Sequence, residues 1–122
     1  MVSKNIKKTN LRVSGLINDL KTASRENDVK IWRDIALRLS RPTRNYSEVN
    51  LSKINRHSSE DETIIVPGKV LASGTLEHKV NVVALGFSGT AKEKIVEKGG
   101  LCLTIEQLVK ENPGGSNVRI MQ

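Results

Sequence analysis

The chain has 122 residues, with 20 Lys and Arg against 13 Asp and Glu for a formal net charge of +7, and only one Trp, one Tyr, one Phe and one Cys. That length fits one domain with one modest core, which this composition makes aliphatic. A single cysteine excludes an internal disulfide and points to a reducing compartment, and so few rings argue against single-strand binders that stack successive bases on aromatic side chains.

The charge is segregated. Thirteen of the Lys and Arg precede residue 58 against five acids, leaving +8 there, whereas residues 58–122 hold seven bases and eight acids, or −1. A segregated surplus gives a positive surface able to neutralise several phosphates together, and nucleic acid is the polyanion it best suits. Seven of the thirteen are Arg, whose planar fork suits phosphate better than the point charge of Lys. The basic start, Met1 to Lys8, is followed by no apolar run, so it does not read as a secretory signal, and no stretch approaches the ~20 apolar residues of a membrane span. The expected protein is soluble and cytoplasmic.

Residues 1–9 are polar, basic and aperiodic, and read as a flexible arm that orders on a partner. From Asn10, a plausible N-cap, Val13, Leu16, Ile17 and Leu20 recur at helical spacing. A second helix is expected after Asp28 as cap, with Ile31, Trp32, Ile35, Ala36 and Leu39 in one stripe and Pro42 as its stop. Lys30, Arg33 and Arg41 fall away from that stripe, and Trp32 reads as core rather than as a platform for a base. Residues 41–56 mix basic and short polar side chains and read as an extended segment laid over RNA, in which Val49 and Leu51 alternate with Asn50 and Ser52 as in a short strand. Glu60-Asp61-Glu62 forms an acidic loop at the boundary between a helical, Arg-rich part, 10–57, and an α/β part, 58–122, of one domain.

In that second part Thr63–Val66 reads as a strand, Pro67-Gly68 as a turn, and Lys69–Gly74 as a resumed extended course. Val80 to Leu85 is a further strand ended by Gly86; Thr90 to Lys98 is a short helix closed by Gly99-Gly100. Leu101–Leu103 is a strand, and Thr104-Ile105-Glu106-Gln107 fits a capping box opening a last helix that runs to about Asn112. The tail around Val118 to Met121 reads as extended. This alternation predicts an α/β unit with at least one parallel strand pair.

Catalytic motifs fail by small margins. Gly86-Phe87-Ser88-Gly89 lacks the second Gly of a nucleophile elbow, so Ser88 reads as a helix N-cap. Pro67-Gly68-Lys69 lacks the upstream Gly of a phosphate loop, and Val70 stands where a magnesium-binding hydroxyl belongs. His57, His78 and Cys102 are too scattered for zinc. No enzyme, metal, cofactor or small-molecule substrate is expected.

Several segments together carry a resemblance: Ala23-Ser24-Arg25-Glu26-Asn27, Ile31-Trp32-Arg33-Asp34, Val49 to Arg56, Val66-Pro67-Gly68-Lys69-Val70-Leu71, Gly86-Phe87-Ser88, Gly99-Gly100, Glu111-Asn112-Pro113 and Gly115 to Ile120. In this order, over nearly the whole chain, they resemble the large-subunit ribosomal protein eighteen-e family of archaea and eukaryotes. That family resembles in turn the C-terminal domain of bacterial large-subunit ribosomal protein fifteen. The resemblance implies N-terminal helices followed by an irregular superhelical α/β fold of strand–strand–helix units, a structural place in the large subunit, and large-subunit rRNA and neighbouring ribosomal proteins as partners. Ala72-Ser73-Gly74 departs from it where a more Gly-rich turn is expected. The chain stops at Gln122 without the basic extension of eukaryotic members, which suggests an archaeal source, and its basic charge argues against a halophile.

The role so implied is assembly and stabilisation. The expected phosphate contacts are Arg12, Lys21, Lys30, Arg33, Arg41, Arg44, Lys53, Arg56 and Lys69, with Asn50, Ser52 and Asn55 hydrogen-bonding RNA. For any single Arg the competing role is a surface ion pair with an acid such as Asp34. Two rival functions are a DNA-binding regulator, because two short helices imitate a helix-turn-helix, and an α/β enzyme acting on a nucleotide. The exposed face of the second helix lacks a run of base-reading side chains, and the near misses above weigh against the enzyme.

Overall fold

In a computed structural model, which describes residues 3–42, 46–115 and 117–122, the described residues form five helices and five strands. The order is α1 (Ser3–Asn27), α2 (Lys30–Leu39), β1 (Ser47–Asn50), α3 (Leu51–His57), β2 (Thr63–Leu71), β3 (Asn81–Phe87), α4 (Gly89–Glu97), β4 (Cys102–Thr104), α5 (Ile105–Glu111) and β5 (Val118–Ile120).

Every strand pair is parallel. β2 is the axis of the sheet: β3 and then β4 lie along one side, while the other side is shared, with β5 beside Thr63–Ile65 and β1 beside Gly68–Leu71. A parallel sheet is covered on both faces, and successive β2 side chains divide accordingly. Ile64, Val66 and Val70 join Leu51 and Ile54 of α3 and Ala91 and Ile95 of α4 in one core. Ile65 joins Leu16 and Leu20 of α1, Trp32 and Ile35 of α2, and Ile105 and Leu108 of α5 in the other. The expected α/β domain is therefore a sheet between an α3/α4 layer and an α1/α2/α5 layer, with aliphatic cores and Trp32 fully buried.

The strongest local signals hold. Ser88 caps α4 by accepting from Ala91 N, and Gly99, at φ +85°, ends that helix in the left-handed region where only glycine is at ease. Thr104 and Gln107 form the capping box of α5 in both directions, Gln107 N donating to Thr104 Oγ1 and Thr104 N to Gln107 Oε1. Leu101 lies just ahead of β4, and the tail supplies β5.

Several expectations are corrected. The first helix begins at Ser3 rather than Asn10. Asp28 does not cap α2: it sits at φ +53°, and Val29, extended, holds the N-cap position without a side-chain hydrogen bond. The extended course expected over 41–56 holds only for Ser47–Asn50. Leu51 starts α3, because Leu51 and Ile54, three apart, can both enter the α3/α4-side core only on a helical turn. Pro67-Gly68 is no turn. β2 runs straight through it, with the register against β3 shifting between Val66 and Lys69, a bulge that tolerates the missing amide of Pro67. Gly68 is demanded by close approach: a Cβ there would lie 1.9 Å from the Ser47 carbonyl oxygen of β1. Gly86, expected to end β3, lies within it.

Candidate nucleic-acid interface

The cations divide between the two helical layers. On the α1/α2 side, Lys21 and Arg25 stand one turn apart on α1, and Lys30, Arg33 and Leu37 follow at intervals of three and four on α2, so each set shares a face. The tight link at Asp28 and Val29 folds the two helices against each other, and Ser24 Oγ secures it by donating to Val29 O at 2.6 Å. These faces line a groove of about 780 Å³ with a cation-bearing wall on each helix and Val29 and Leu37 as its aliphatic surface. Among the described residues that line it, Asp28 is the one acid. Among the described residues no ion pair or side-chain hydrogen bond engages Lys21, Arg25, Lys30 or Arg33. Asp34 is taken by Arg38 at 3.1 Å, which leaves Arg33 exposed and unpaired. Three expected residues, Lys21, Lys30 and Arg33, thus meet in one groove. Arg25, not among the expected residues, lines the same groove, and its spacing from Lys21 is the sequence signal for it.

The other expected residues separate from that groove. Arg41 is exposed just beyond α2, and Arg44 lies outside the described residues. Lys53, Asn55 and Arg56 are on α3, across the sheet, with Ser52 beside them and Asn50 at the N-cap. Arg56 is exposed and unpaired, and the Asn50 carboxamide makes no cap hydrogen bond. Lys53 Nζ, in contrast, donates to the Gln122 carbonyl. Asn55 is occupied at both ends of its amide, donating to Glu77 Oε1 at 3.1 Å and accepting from Glu77 N at 2.9 Å, which ties α3 to the 72–80 loop. In that loop Gly74 takes φ +94°, and a Cβ on it would strike Ser52.

Lys69 is exposed in β2 instead of on a turn, and its neighbour Val70 enters the α3/α4-side core, so Lys69 belongs to the α1/α2 face. It lies in register with Gly86, adjacent to Leu85, whose carbonyl Arg12 holds from α1 at 3.0 Å. Arg12 is also engaged by Glu106 of α5, its Nε donating to Oε2 at 2.9 Å. Its internal partners make it a clamp between α1 and α5. The acidic loop is likewise tied in: Asp61 pairs with Lys79 at 3.2 Å and Glu62 with Arg119 at 3.0 Å.

Burial pushes the Glu106 carboxyl up, but the Arg12 hydrogen bond, its own backbone amide and the Arg12 charge outweigh it and hold the group below the ordinary carboxylate value. A folded value below the unfolded one stabilises the fold at neutral pH, and that contribution is lost as pH falls through the lowered value. Both side chains are partly exposed, and solvent screening limits the contribution to about 0.5–1 kcal/mol. In urea titrations Glu106→Gln is expected to cost that much at neutral pH and to converge with the unaltered protein in acid below the carboxylate range. A gap that persists in acid would refute the linkage.

Among the described residues no group of three or more His, Cys, Asp or Glu side chains is placed to hold a metal. Burial raises the Cys102 thiol despite the opposing charge of Lys92, leaving it a poor nucleophile. No described helix is long and apolar enough to cross a membrane.

Comparison with known proteins decides the family. The model for "Ribosomal protein 60S L18 and 50S L18e" matches residues 1–122. The chain belongs to this L18/L18e family. A member from Methanoregula boonei, named large ribosomal subunit protein eL18, is 57% identical over 121 residues, 99% of this chain and 100% of the relative. The eL18 of Methanothermobacter thermautotrophicus is 55% identical over 117 residues, 96% of this chain and 97% of its own. The eL18 of Haloarcula marismortui is 50% identical over 115 residues, 94% and 98%. These relatives are archaeal, in keeping with the source expected. Membership in L18/L18e, a family of ribosomal proteins, replaces both the regulator and the enzyme with a structural role.

Proposed function

We propose that this L18/L18e chain binds large-subunit rRNA through two basic surfaces on opposite faces of its sheet, and so holds two RNA segments in a fixed relation within the large subunit. The family supplies the setting, a structural constituent of the large ribosomal subunit in the cytoplasm, where the ribosome works. The observation that carries the contact assignment is the α1/α2 groove with Lys21, Arg25, Lys30 and Arg33 all unpaired. Arg is retained without an acid where phosphate is to be the partner, and each phosphate neutralised releases condensed counterion.

The second surface is the outer side of α3, where Arg56, Asn50 and Ser52 present a cation and short polar side chains. Between the surfaces the parallel sheet is a stiff spacer with a packed core on each face. Lys69 and Arg41 extend the α1/α2 side, and Arg44 and the lysines of residues 1–9 are assigned as further phosphate contacts by sequence alone. Arg12, Asn55 and Lys53 serve the fold first, through Glu106, Glu77 and the Gln122 carbonyl. Neighbouring ribosomal proteins meet the less basic remainder of the surface.

The test is co-sedimentation of the tagged protein from its native cells on sucrose gradients at low and high salt. Stoichiometric recovery with the large subunit is expected under both conditions. Recovery at the top of the gradient in both would overturn the assignment.

A further inference from the structure

We infer that the α1/α2 groove receives an unpaired nucleotide with its flanking phosphates, and not the side of an RNA duplex. The inference rests on the rRNA-binding reading above and deepens it. Its motive is a mismatch between the groove and a plain phosphate site. Phosphate contacts need cations on a solvated surface; they do not need an aliphatic floor, and an anion pressed against one loses hydration without return. Yet Leu37 is 53% exposed in a groove lined by four cations, about 12 Å along α2 from Val29 at the turn end. Leu37 cannot be excused as core, because Ile35, Ala36 and Leu39 fill that role on the opposite side of α2.

An extruded base meets this arrangement. Its face is apolar and its edges polar, so it can lie on Leu37 while Asn18 and Thr22 on the α1 wall offer hydrogen bonds to its edge. The phosphates on either side of it then fall to Lys21 and Arg25 on one wall and Lys30 and Arg33 on the other. The volume, about 780 Å³, is in the ~300–1,000 Å³ range of small-ligand clefts and exceeds what phosphates alone require. Cations on both walls also suit a single strand passing between them, whereas a stacked and paired base in a duplex cannot reach the floor. Asp28 lies in the turn where the helices meet, at one end of the groove, and biases the phosphates toward the cations. The scarcity of aromatic rings is consistent with this, since one base on one aliphatic side chain is not a platform for successive stacked bases.

The test uses the full chain with two probes, octauridylate and an RNA duplex of equal phosphate number, titrated at several salt concentrations, against the unaltered protein and Leu37→Gln. The substitution keeps helix propensity and removes the apolar surface. Octauridylate binding is expected to weaken on the order of fivefold with an unchanged salt slope, and duplex binding to stay the same. The Leu37 methyl resonances should shift with octauridylate and not with duplex. An equal loss for both probes, no loss for either, or methyl shifts with duplex alone would overturn the inference while leaving rRNA binding standing. Failure of the unaltered protein to bind either probe or large-subunit rRNA would instead remove the reading beneath it.

Discussion

Replacing Lys21, Arg25, Lys30 and Arg33 together by Ala is expected to weaken binding of large-subunit rRNA about a hundredfold at moderate salt, and to make the dependence of log affinity on log salt shallower by about 3 to 4. The four side chains line one groove from two helices and have no partner among the described residues, so their removal subtracts phosphate contacts and little else. Lys21, Arg25, Lys30 and Arg33 are all exposed, and Ala is the better helix former, so stability should change by under ~1 kcal/mol. The control is Arg38→Ala, which removes a basic residue of the same helix that is committed to Asp34. It should alter the slope by far less than a quarter of the quadruple effect. If the quadruple variant kept the slope of the unaltered protein, the groove would not be an RNA contact, whatever the chain does elsewhere on the subunit.

The largest loss of stability is expected at Trp32. Its side chain is fully buried at the centre of the α1/α2-side core, and its Nε1–H donates to the Pro113 carbonyl at 2.8 Å. That bond fastens the loop after α5 to the start of α2. The loop is fitted tightly there, since a Cβ on Gly115 would come within 3.0 Å of both Val29 and Ile31. Trp32→Ala removes the ring, opens a cavity and unties the loop, at a cost of about 3–5 kcal/mol, a large part of the ~5–15 kcal/mol that holds a domain folded. Trp32→Phe keeps most of the apolar contact but leaves the Pro113 carbonyl without its donor, for about 1–2 kcal/mol. Urea denaturation separates the two. A Phe variant as unstable as the Ala variant would mean that the hydrogen bond, and not the packing, dominates. An Ala variant within ~1 kcal/mol of the unaltered protein would contradict the packing account.

The groove and the tryptophan share one element. The same ten residues of α2 place Trp32, Ile35, Ala36 and Leu39 inward and Lys30, Arg33 and Leu37 outward. Because the inward stripe anchors the helix on the sheet, the outward set is held on a rigid support. Weakening the core should therefore blur the groove, whereas stripping the groove should leave the core intact, and the two variants above test both directions.

What the sequence determined by itself is what depends on near neighbours. The stripe of α2, the Ser88 cap, the Thr104 capping box, the left-handed Gly99 and the alternation of strand with helix are set within a few residues, where side-chain spacing and backbone sterics leave little choice. The excess of charge before residue 58 was equally legible, because it is a count. The family was readable from motifs spread along the chain. What only the tertiary structure decided is what depends on distant residues. Pro67-Gly68 reads as a turn in isolation, yet β1, twenty-one residues earlier in register, passes so close to Gly68 that the pair becomes a bulge inside the longest described strand. Leu51 and Ile54 are too few to announce a helix until a core exists for them to enter. The basic half reads as one surface, but α1 and α2 cover one face of the sheet and α3 the other, so its cations fall on two. Arg12 and Asn55 look as free as Arg33 and Asn50 in the sequence. They differ because Glu106 and Glu77, ninety-four and twenty-two residues away along the chain, are folded against them. Which charges are left for a partner is settled by which ones the fold has already neutralised, and that is a property of the packed molecule.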